Sequence, residues 1–246
     1  MALVLATGGL GFIGSHTCLS LLENDFDVLV VDSLLNSNLN TLSVLEKLII
    51  EKNLKIKLIF KKGDIRDYKF LNRLFSEFLS EGNPIDSVIH FAGLKSVEES
   101  IIKPLLYWDS NINATLTLLK VMESFNCNKI VFSSSATIYK PNSSRKLDEN
   151  SDLKPINSYG NSKLAIEKIL YDLFYSKSEK WKIVCLRYFN PVGCHSSGLL
   201  GEDPKIKCSN IFPSLMKVIE KKEKVFTIHG NDWPTKDGTC VRDYIH

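Results

Sequence analysis

Leu3-Val4-Leu5-Ala6-Thr7-Gly8-Gly9-Leu10-Gly11-Phe12-Ile13-Gly14 is the stretch that decides the fold. A short continuous apolar run leads into spaced glycines, and an amphipathic helical pattern then continues to about Glu23. Val28-Leu29-Val30-Val31 follows and ends on Asp32. The order is strand, glycine loop, helix, strand, acid. Gly9, Gly11 and Gly14 fit G-x-G-x-x-G, and Gly8, Gly11 and Gly14 fit G-x-x-G-x-x-G. Glycines in such a loop permit a tight turn, close approach of a pyrophosphate and close packing of helix on sheet. The helix N-terminus adds amide donors and positive potential for phosphate. A carboxylate at Asp32 accepts hydrogen bonds from both ribose hydroxyls and repels a 2′-phosphate, which favours NAD over NADP. A purely structural glycine turn is the alternative reading of the loop taken alone.

Outward from this unit the alternation repeats. Apolar runs at Ile56 to Phe60, Val88 to Phe91, Ile130 to Phe132 and Ile183 to Leu186 read as strands. Helix-period sequence separates them, notably Tyr68 to Leu79, Leu105 to Phe125 and Ser158 to Tyr175. Non-alternating apolar strands between helices predict an α/β fold, a doubly wound parallel sheet covered on both faces. Lys140 to Leu153 reads as a surface loop. After Leu186 the pattern changes to a loop-rich stretch running to Asn210. A helix is expected over Ile211 to Glu220, a strand over Val225 to Ile228, and a further strand within Val241 to His246. We therefore expect a Rossmann-like dinucleotide-binding domain over 1–189 and the beginning of a smaller, incomplete lobe over 190–246, its natural C-terminus missing.

Composition narrows the class. The chain has 246 residues, with 31 basic and 28 acidic side chains and a net charge of +3. Scattered lysines interleaved with acids read as a solvated surface and argue against a nucleic-acid binder. Six cysteines (Cys18, Cys127, Cys185, Cys194, Cys208, Cys240) show neither Cys-x-x-Cys pairing nor histidines at ligand spacing. Reduced buried thiols are expected, with no metal site. No charged leader precedes the first apolar run, and no apolar run reaches membrane-spanning length. A cytoplasmic protein without a membrane segment is the expectation.

Asn157-Ser158-Tyr159-Gly160-Asn161-Ser162-Lys163 opens the helix whose apolar stripe is Ile166, Ile169, Leu170, Leu173 and Phe174. At helical spacing Tyr159 and Lys163 point the same way, into that stripe. A lysine aimed inward requires something anionic or polar to meet it. Tyr-x-x-x-Lys alone arises by chance about once in a chain of this composition. Position gives it weight, because Ser133-Ser134-Ser135 ends the fifth strand and Ser135 lies on the carboxyl side of the sheet, where a dinucleotide must lie. Asp64, after the third strand, reads equally as a helix N-cap or as a ligand.

Thr7 to Gly14 with Ser135, Tyr159 and Lys163 resembles the extended short-chain dehydrogenase/reductase superfamily. Gly14-Ser15-His16-Thr17, His90 to Lys95, Phe132 to Tyr139, Leu186 to Gly193, Gly201-Glu202-Asp203-Pro204, Asp237-Gly238-Thr239 and Val241 to His246 narrow the resemblance to the UDP-glucose 4-epimerase family. The resemblance runs from Leu3 to His246. It implies NAD as the cofactor, UDP-glucose and UDP-galactose as substrates, and a homodimer with helices Leu105 to Phe125 and Ser158 to Tyr175 as candidate contacts. Its implied catalytic residues are Ser135, Tyr159 and Lys163. Lys163 and the nicotinamide would lower the Tyr159 pKa toward neutrality. The phenolate would take the 4-hydroxyl proton, Ser135 would hold the same oxygen, and the 4-keto sugar would turn over before reduction. By family position Gly8, Gly11, Phe12, Ile13, Gly14, Asp32, Asn36, Ser37, Asp64, Ile65, Phe91, Ala92, Gly93, Leu94, Lys95, Ser133, Tyr159, Lys163 and Phe189 contact NAD. Asn190, Asn210 and Arg242 contact the UDP diphosphate, and a guanidinium suits phosphate oxygens. Four departures stand out: Phe12 in place of a common Tyr, Ser110 where Asn is usual, Lys140 in place of a common Gly, and Asn161 in place of a basic or small residue. The Ser110 change puts one cofactor hydrogen bond in question.

Two other readings compete. A nucleotide-sugar 4,6-dehydratase or decarboxylase of the same superfamily would share the cofactor site. A dehydratase needs an acidic pair after the Ser/Thr position, where this chain has Ala136 and Thr137. A non-catalytic NAD-binding protein would keep the glycine loop and lose the sugar lobe.

Overall fold

The computed structural model describes residues 1–141, 146–177, 179–205, 210–228 and 230–246. Six parallel strands form one sheet: β1 (Leu3–Thr7), β2 (Asp27–Asp32), β3 (Leu58–Lys62), β4 (Ile85–His90), β5 (Lys129–Ser135) and β6 (Lys182–Tyr188), in the order β3-β2-β1-β4-β5-β6. The chain winds outward from β1 to β3, then returns to β4 on the other side of β1. That reversal opens a crevice above the carboxyl ends of β1 and β4.

Both faces of the sheet are covered, as the unbroken apolar strands predict. Leu29 and Val31 of β2 pack with Leu3 and Leu5 of β1 into one core, closed by α3 (Tyr68–Ser80), α6 (Ala114–Ser124) and α7 (Ser158–Ser176). Val28 and Val30 face the other way, with Ala6, toward α1 (Phe12–Glu23) and α2 (Leu39–Glu51). Each fully buried aliphatic side chain contributes roughly 1.5–3 kcal/mol. The edge strand β6 is less enclosed, and Val184 remains 50% exposed.

Several elements differ from expectation. The single helix expected over Leu105 to Phe125 is interrupted. Beyond α4 (Val97–Ile102), α5 (Pro104–Tyr107) passes into a wider π-helical stretch, Trp108–Asn113, before α6 begins. Asp64 caps no helix: the cap of α3 is Asp67, whose side chain accepts from the Phe70 amide at 3.1 Å. Val225 to Ile228 forms no strand: among the described residues it has no strand partner, and Val225 stays 70% exposed. Within Val241 to His246 only β8 (Tyr244–Ile245) is a strand, and it pairs with β7 (Asn190–Pro191). The expected helix near Ile211 is present as α8 (Ile211–Ile219). The loop from Lys140 is pinned at its ends by a Tyr139–Leu153 bridge and by the Lys140 amide donating to the Asp152 carbonyl at 2.8 Å. Cys18 and Cys127 are buried and free, and burial pushes both thiols up to about 12. Cys185 is free and half-buried, Cys194 and Cys240 are free and exposed, and Cys208 lies outside the described residues.

Candidate active site

The glycine loop is built by packing at two of its positions. Gly8 has φ +69°, and a Cβ there would lie 2.7 Å from the Ala92 nitrogen. At Gly14 a Cβ would lie 2.5 Å from the Gly8 carbonyl oxygen, so α1 can rest on the loop only with glycine present. Gly11 is different. The one protein atom that its Cβ would approach within 4 Å is the Gly8 carbonyl oxygen, at 3.3 Å. Gly11 is also the N-cap of α1 and supplies no side-chain cap, so the first-turn amides face the crevice.

Asp32, at the end of β2, is 7% exposed and fixed by three donors. The Leu10 amide donates to Oδ2 at 3.1 Å, and the Leu34 amide to Oδ1 at 2.9 Å. Ser37 Oγ donates to Oδ1 at 2.7 Å, so Ser37 orients the carboxylate. Asp64 is clamped by Arg66, whose Nη2 lies 2.6 Å from Oδ2, and Arg66 reaches on to Asp109 at 2.5 Å. The guanidinium holds the Asp64 carboxyl below the usual carboxylate range. Ile65 points into the core and offers the crevice only its backbone.

Beyond β4, Gly93 has φ +154°, and a Cβ there would lie 2.9 Å from Asn111 Oδ1. Asn111 clamps this turn. Its Oδ1 accepts from the Leu94 amide at 2.8 Å, and its Nδ2 donates to the Leu94 carbonyl at 3.2 Å and to Ser162 Oγ at 3.0 Å. Asn111 was not singled out from sequence; its neighbour Ser110, where the family usually has Asn, is partly buried. Asn111 is the buried residue of the π-helical stretch, and its amide meets the turn after β4 from there.

Three side chains converge at the floor. The Asn157 side chain caps α7 by accepting from the Gly160 amide at 2.8 Å, which places Tyr159 in the first turn. A Cβ on Gly160 would lie 2.7 Å from the Thr137 carbonyl, so the helix approaches the end of β5 closely. Tyr159 is buried, hydrogen-bonded to Ser135, and packed edge-on against Tyr107 at 6.4 Å between ring centroids. Ser135 Oγ also accepts from Thr137 Oγ1 at 2.9 Å. Lys163 is buried, donates to the Ser133 carbonyl at 2.7 Å, and lies 4.7 Å over the Phe132 ring and 5.9 Å from that of Tyr159. Inward-facing lysine thus finds a carbonyl dipole as its partner.

The electrostatics of the protein groups alone set the starting point for Tyr159. Burial holds the Tyr159 phenol above its ordinary value, partly offset by the Ser135 hydrogen bond. Burial also brings Lys163 down to about 8. The lowering expected from Lys163 and the nicotinamide together has this desolvation of a buried phenolate to overcome. His90, bonded to Thr7 Oγ1 at 2.7 Å and Thr115 Oγ1 at 3.0 Å, is pushed down to about 3 by burial and by Lys163, and stays neutral.

Residues expected at the sugar-nucleotide end lie farther along. Asn190 Nδ2 donates to the Asp243 carbonyl at 2.8 Å, holding the segment that carries Arg242, which is exposed. Asn210 Nδ2 lies 3.4 Å from Glu202 Oε1. Glu202, unassigned from sequence, pairs with Lys95 at 3.0 Å and so ties this segment to the turn after β4.

This arrangement recurs in known proteins. Residues 5–246 match the family model described as GDP-mannose 4,6 dehydratase. A UDP-glucose 4-epimerase of Cyamopsis tetragonoloba is 44% identical over 243 residues, covering 99% of this chain and 67% of the relative. UDP-glucose 4-epimerase 2 of Arabidopsis thaliana is 47% identical, with the same coverage of 99% and 67%. The crystal structure of the Bifidobacterium longum UDP-glucose 4-epimerase, in complex with NAD+ and UDP, superposes with a TM-score of 0.91 at 46% identity, covering 100% of this chain and 70% of that one. The chain therefore spans about two thirds of the length of these relatives. By sequence over nearly its whole length, and by fold, it belongs to the UDP-glucose 4-epimerase family of extended short-chain dehydrogenases/reductases.

Proposed function

We propose that the protein interconverts UDP-glucose and UDP-galactose by transient oxidation at the sugar C4, with NAD held in the β1–β4 crevice. The observation that carries this reading is the buried Ser135–Tyr159–Lys163 cluster at the floor of that crevice. The cradle fits a dinucleotide. Gly11 leaves space that its own fold does not need, the first turn of α1 presents amides to a pyrophosphate, and Asp32 is oriented to accept ribose hydroxyls. Phe12, Ile13, Asn36, Phe91 to Lys95, Ser133 and Phe189 complete the proposed NAD site. When bound, NAD supplies a reversible hydride acceptor beside C4 and a fixed positive charge.

The chain's own residues do the rest. Tyr159 removes the proton from the 4-hydroxyl and later returns it, and Ser135 shares that proton through its hydrogen bond to the phenol. The phenol, raised by burial, needs an added positive charge to ionise near neutral pH, which suits a site that works only when loaded. Lys163 holds its ammonium on Ser133, within range of the ring. Asn190, Asn210 and Arg242 are the proposed diphosphate contacts, and residues 190–246 the start of the sugar-nucleotide lobe. A 4,6-dehydratase is disfavoured because Ala136 and Thr137 follow Ser135, and Thr137 hydrogen-bonds Ser135 in place of a carboxylate.

A homodimer is proposed through the helices of Leu105 to Phe125 and Ser158 to Tyr175, where Leu105 is 81% and Tyr175 63% exposed. Sedimentation at micromolar concentration tests it, and a monomer there would refute it. Among the described residues no helix is long and apolar enough to cross a membrane. The cytoplasm is the proposed compartment, in keeping with the free cysteines. Turnover is tested by purifying the protein, measuring released NAD, and following UDP-glucose formation from UDP-galactose with a coupled dehydrogenase. Absence of nucleotide and of turnover would overturn the reading.

A further inference from the structure

Three consecutive serines at the end of β5 each meet one of three α7 residues spaced four apart. Ser135 bonds Tyr159, Ser133 holds Lys163, and Ser134 Oγ donates to Glu167 Oε1 at 2.5 Å. Glu167 is also gripped by Arg187 of β6, with Nη2 at 2.8 Å from Oε2 and Nε at 3.1 Å from Oε1. Both side chains are largely buried, at 19% exposure for Arg187 and 10% for Glu167. Arg187 is anchored on its far side by the Tyr139 hydroxyl at 3.0 Å, the Glu149 carbonyl at 3.2 Å and the Tyr139 ring at 5.1 Å. Nothing in the proposed chemistry uses Glu167 or Arg187.

Lys163 and Glu167 are themselves four apart on one helix, a spacing at which Lys and Glu readily pair. They do not pair here, because Arg187 and Ser134 occupy the carboxylate while Ser133 occupies the ammonium. We propose that Glu167 and Arg187 are positioning residues for the acid–base site: together they lock α7 to the ends of β5 and β6, and Arg187 keeps the Glu167 charge off Lys163 so that the ammonium stays beside Tyr159. This inference rests on the role given to Tyr159 and Lys163 above. The other titratable groups facing the ladder are His90 against Lys163, Tyr107 against Tyr159, and Cys185 against Glu167. The first is neutral, Tyr107 is raised by burial and by its bond to Glu99, and burial brings the Cys185 thiol to about 12, so none of the three supplies a competing charge near neutral pH.

The test is the titration of the Lys163 amine, followed by NMR of lysine-labelled protein, its signal assigned by loss in Lys163→Met. In Arg187→Gln the freed Glu167 carboxylate turns to Lys163, and the proton affinity of the amine rises about tenfold. The double variant Glu167→Gln/Arg187→Gln returns it to within about twofold of the parent. Glu167→Gln alone keeps an acceptor for Ser134 but removes the charge, and shifts the midpoint downward. That arm stands even if Arg187→Gln does not fold. An unmoved Lys163 midpoint in Arg187→Gln and Glu167→Gln, or a double variant as displaced as Arg187→Gln, overturns the proposal and leaves the pair a structural clip. The titration needs no turnover, so its outcome is independent of whether the protein epimerises UDP-sugars. In protein that does, Arg187→Gln lowers kcat with KM for the sugar nucleotide unchanged, and the double variant restores part of it; a change confined to KM counts against the positioning role.

Discussion

Gly8, Gly11 and Gly14 share one motif, yet the structure gives them different reasons for being glycine, and alanine at each separates those reasons. Gly8→Ala places a Cβ 2.7 Å from the Ala92 nitrogen at a residue with φ +69°. The left-handed backbone costs an L-residue about 1–2 kcal/mol and the overlap about 1–3 kcal/mol more, for a loss of about 2–5 kcal/mol. Gly14→Ala drives its Cβ to 2.5 Å from the Gly8 carbonyl and 2.8 Å from Gly9 Cα, a backbone clash that no rotamer relieves, so a loss of about 1–3 kcal/mol or more is expected. At Gly11 the closest approach is 3.3 Å to one carbonyl oxygen, and φ is −73°. Alanine at this N-cap costs no more than about 1 kcal/mol of stability. Its methyl group enters the crevice where the pyrophosphate is proposed to lie, so NAD affinity falls on the order of tenfold to a hundredfold. Urea denaturation of the three variants without nucleotide, followed by NAD titration of each folded one, measures both quantities. Gly11→Ala that unfolds like Gly8→Ala, or binds NAD as tightly as the parent, refutes the assignment of that glycine to a ligand.

Other outcomes follow from the buried groups. Lys163 is held at about 8, below its ordinary 10.5. Between those values the native state binds fewer protons than the unfolded one, so stability rises with pH across that window by about 3 kcal/mol; below about pH 8 the penalty for the buried ammonium is fully present. Lys163→Met abolishes this rise while removing turnover, and denaturation curves at pH 7.5 and pH 10 check the slope. Tyr159→Phe loses a single hydrogen bond, so its stability to unfolding changes by about 1 kcal/mol or less while turnover falls steeply. Asp32→Asn frees part of the network of Leu10, Leu34 and Ser37, costs about 1–3 kcal/mol, and narrows the preference for NAD over NADP when both are titrated.

What could be read from the chain divides by physical range. The β1–loop–α1–β2 unit and Tyr159-x-x-x-Lys163 are local patterns, in which spacing alone sets direction, and the inward lysine was legible for that reason. Asn111 was not, because its contacts to Leu94 and Ser162 depend on how three separate elements dock. Asp64 and Asp67 offered two carboxylates near one helix start, and only the backbone path shows that Asp67 caps it. Val225 to Ile228 has strand composition, but a strand exists only with a hydrogen-bonding neighbour. Glu167 and Arg187 are twenty residues apart on different elements, so their pairing depends on the docking of α7 against β6. The lowering expected for the Tyr159 phenol involves the nicotinamide as well as Lys163, and the burial it works against is a depth that no spacing reveals.

The most direct test of the account is the interconversion itself. UDP-galactose is supplied to the NAD-loaded protein and to NAD-loaded Tyr159→Phe, and UDP-glucose is followed by a coupled dehydrogenase. The account predicts turnover without net consumption of the bound NAD, and a rate in Tyr159→Phe lower by a factor on the order of 10³. No turnover by the loaded protein, or full turnover by Tyr159→Phe, contradicts it.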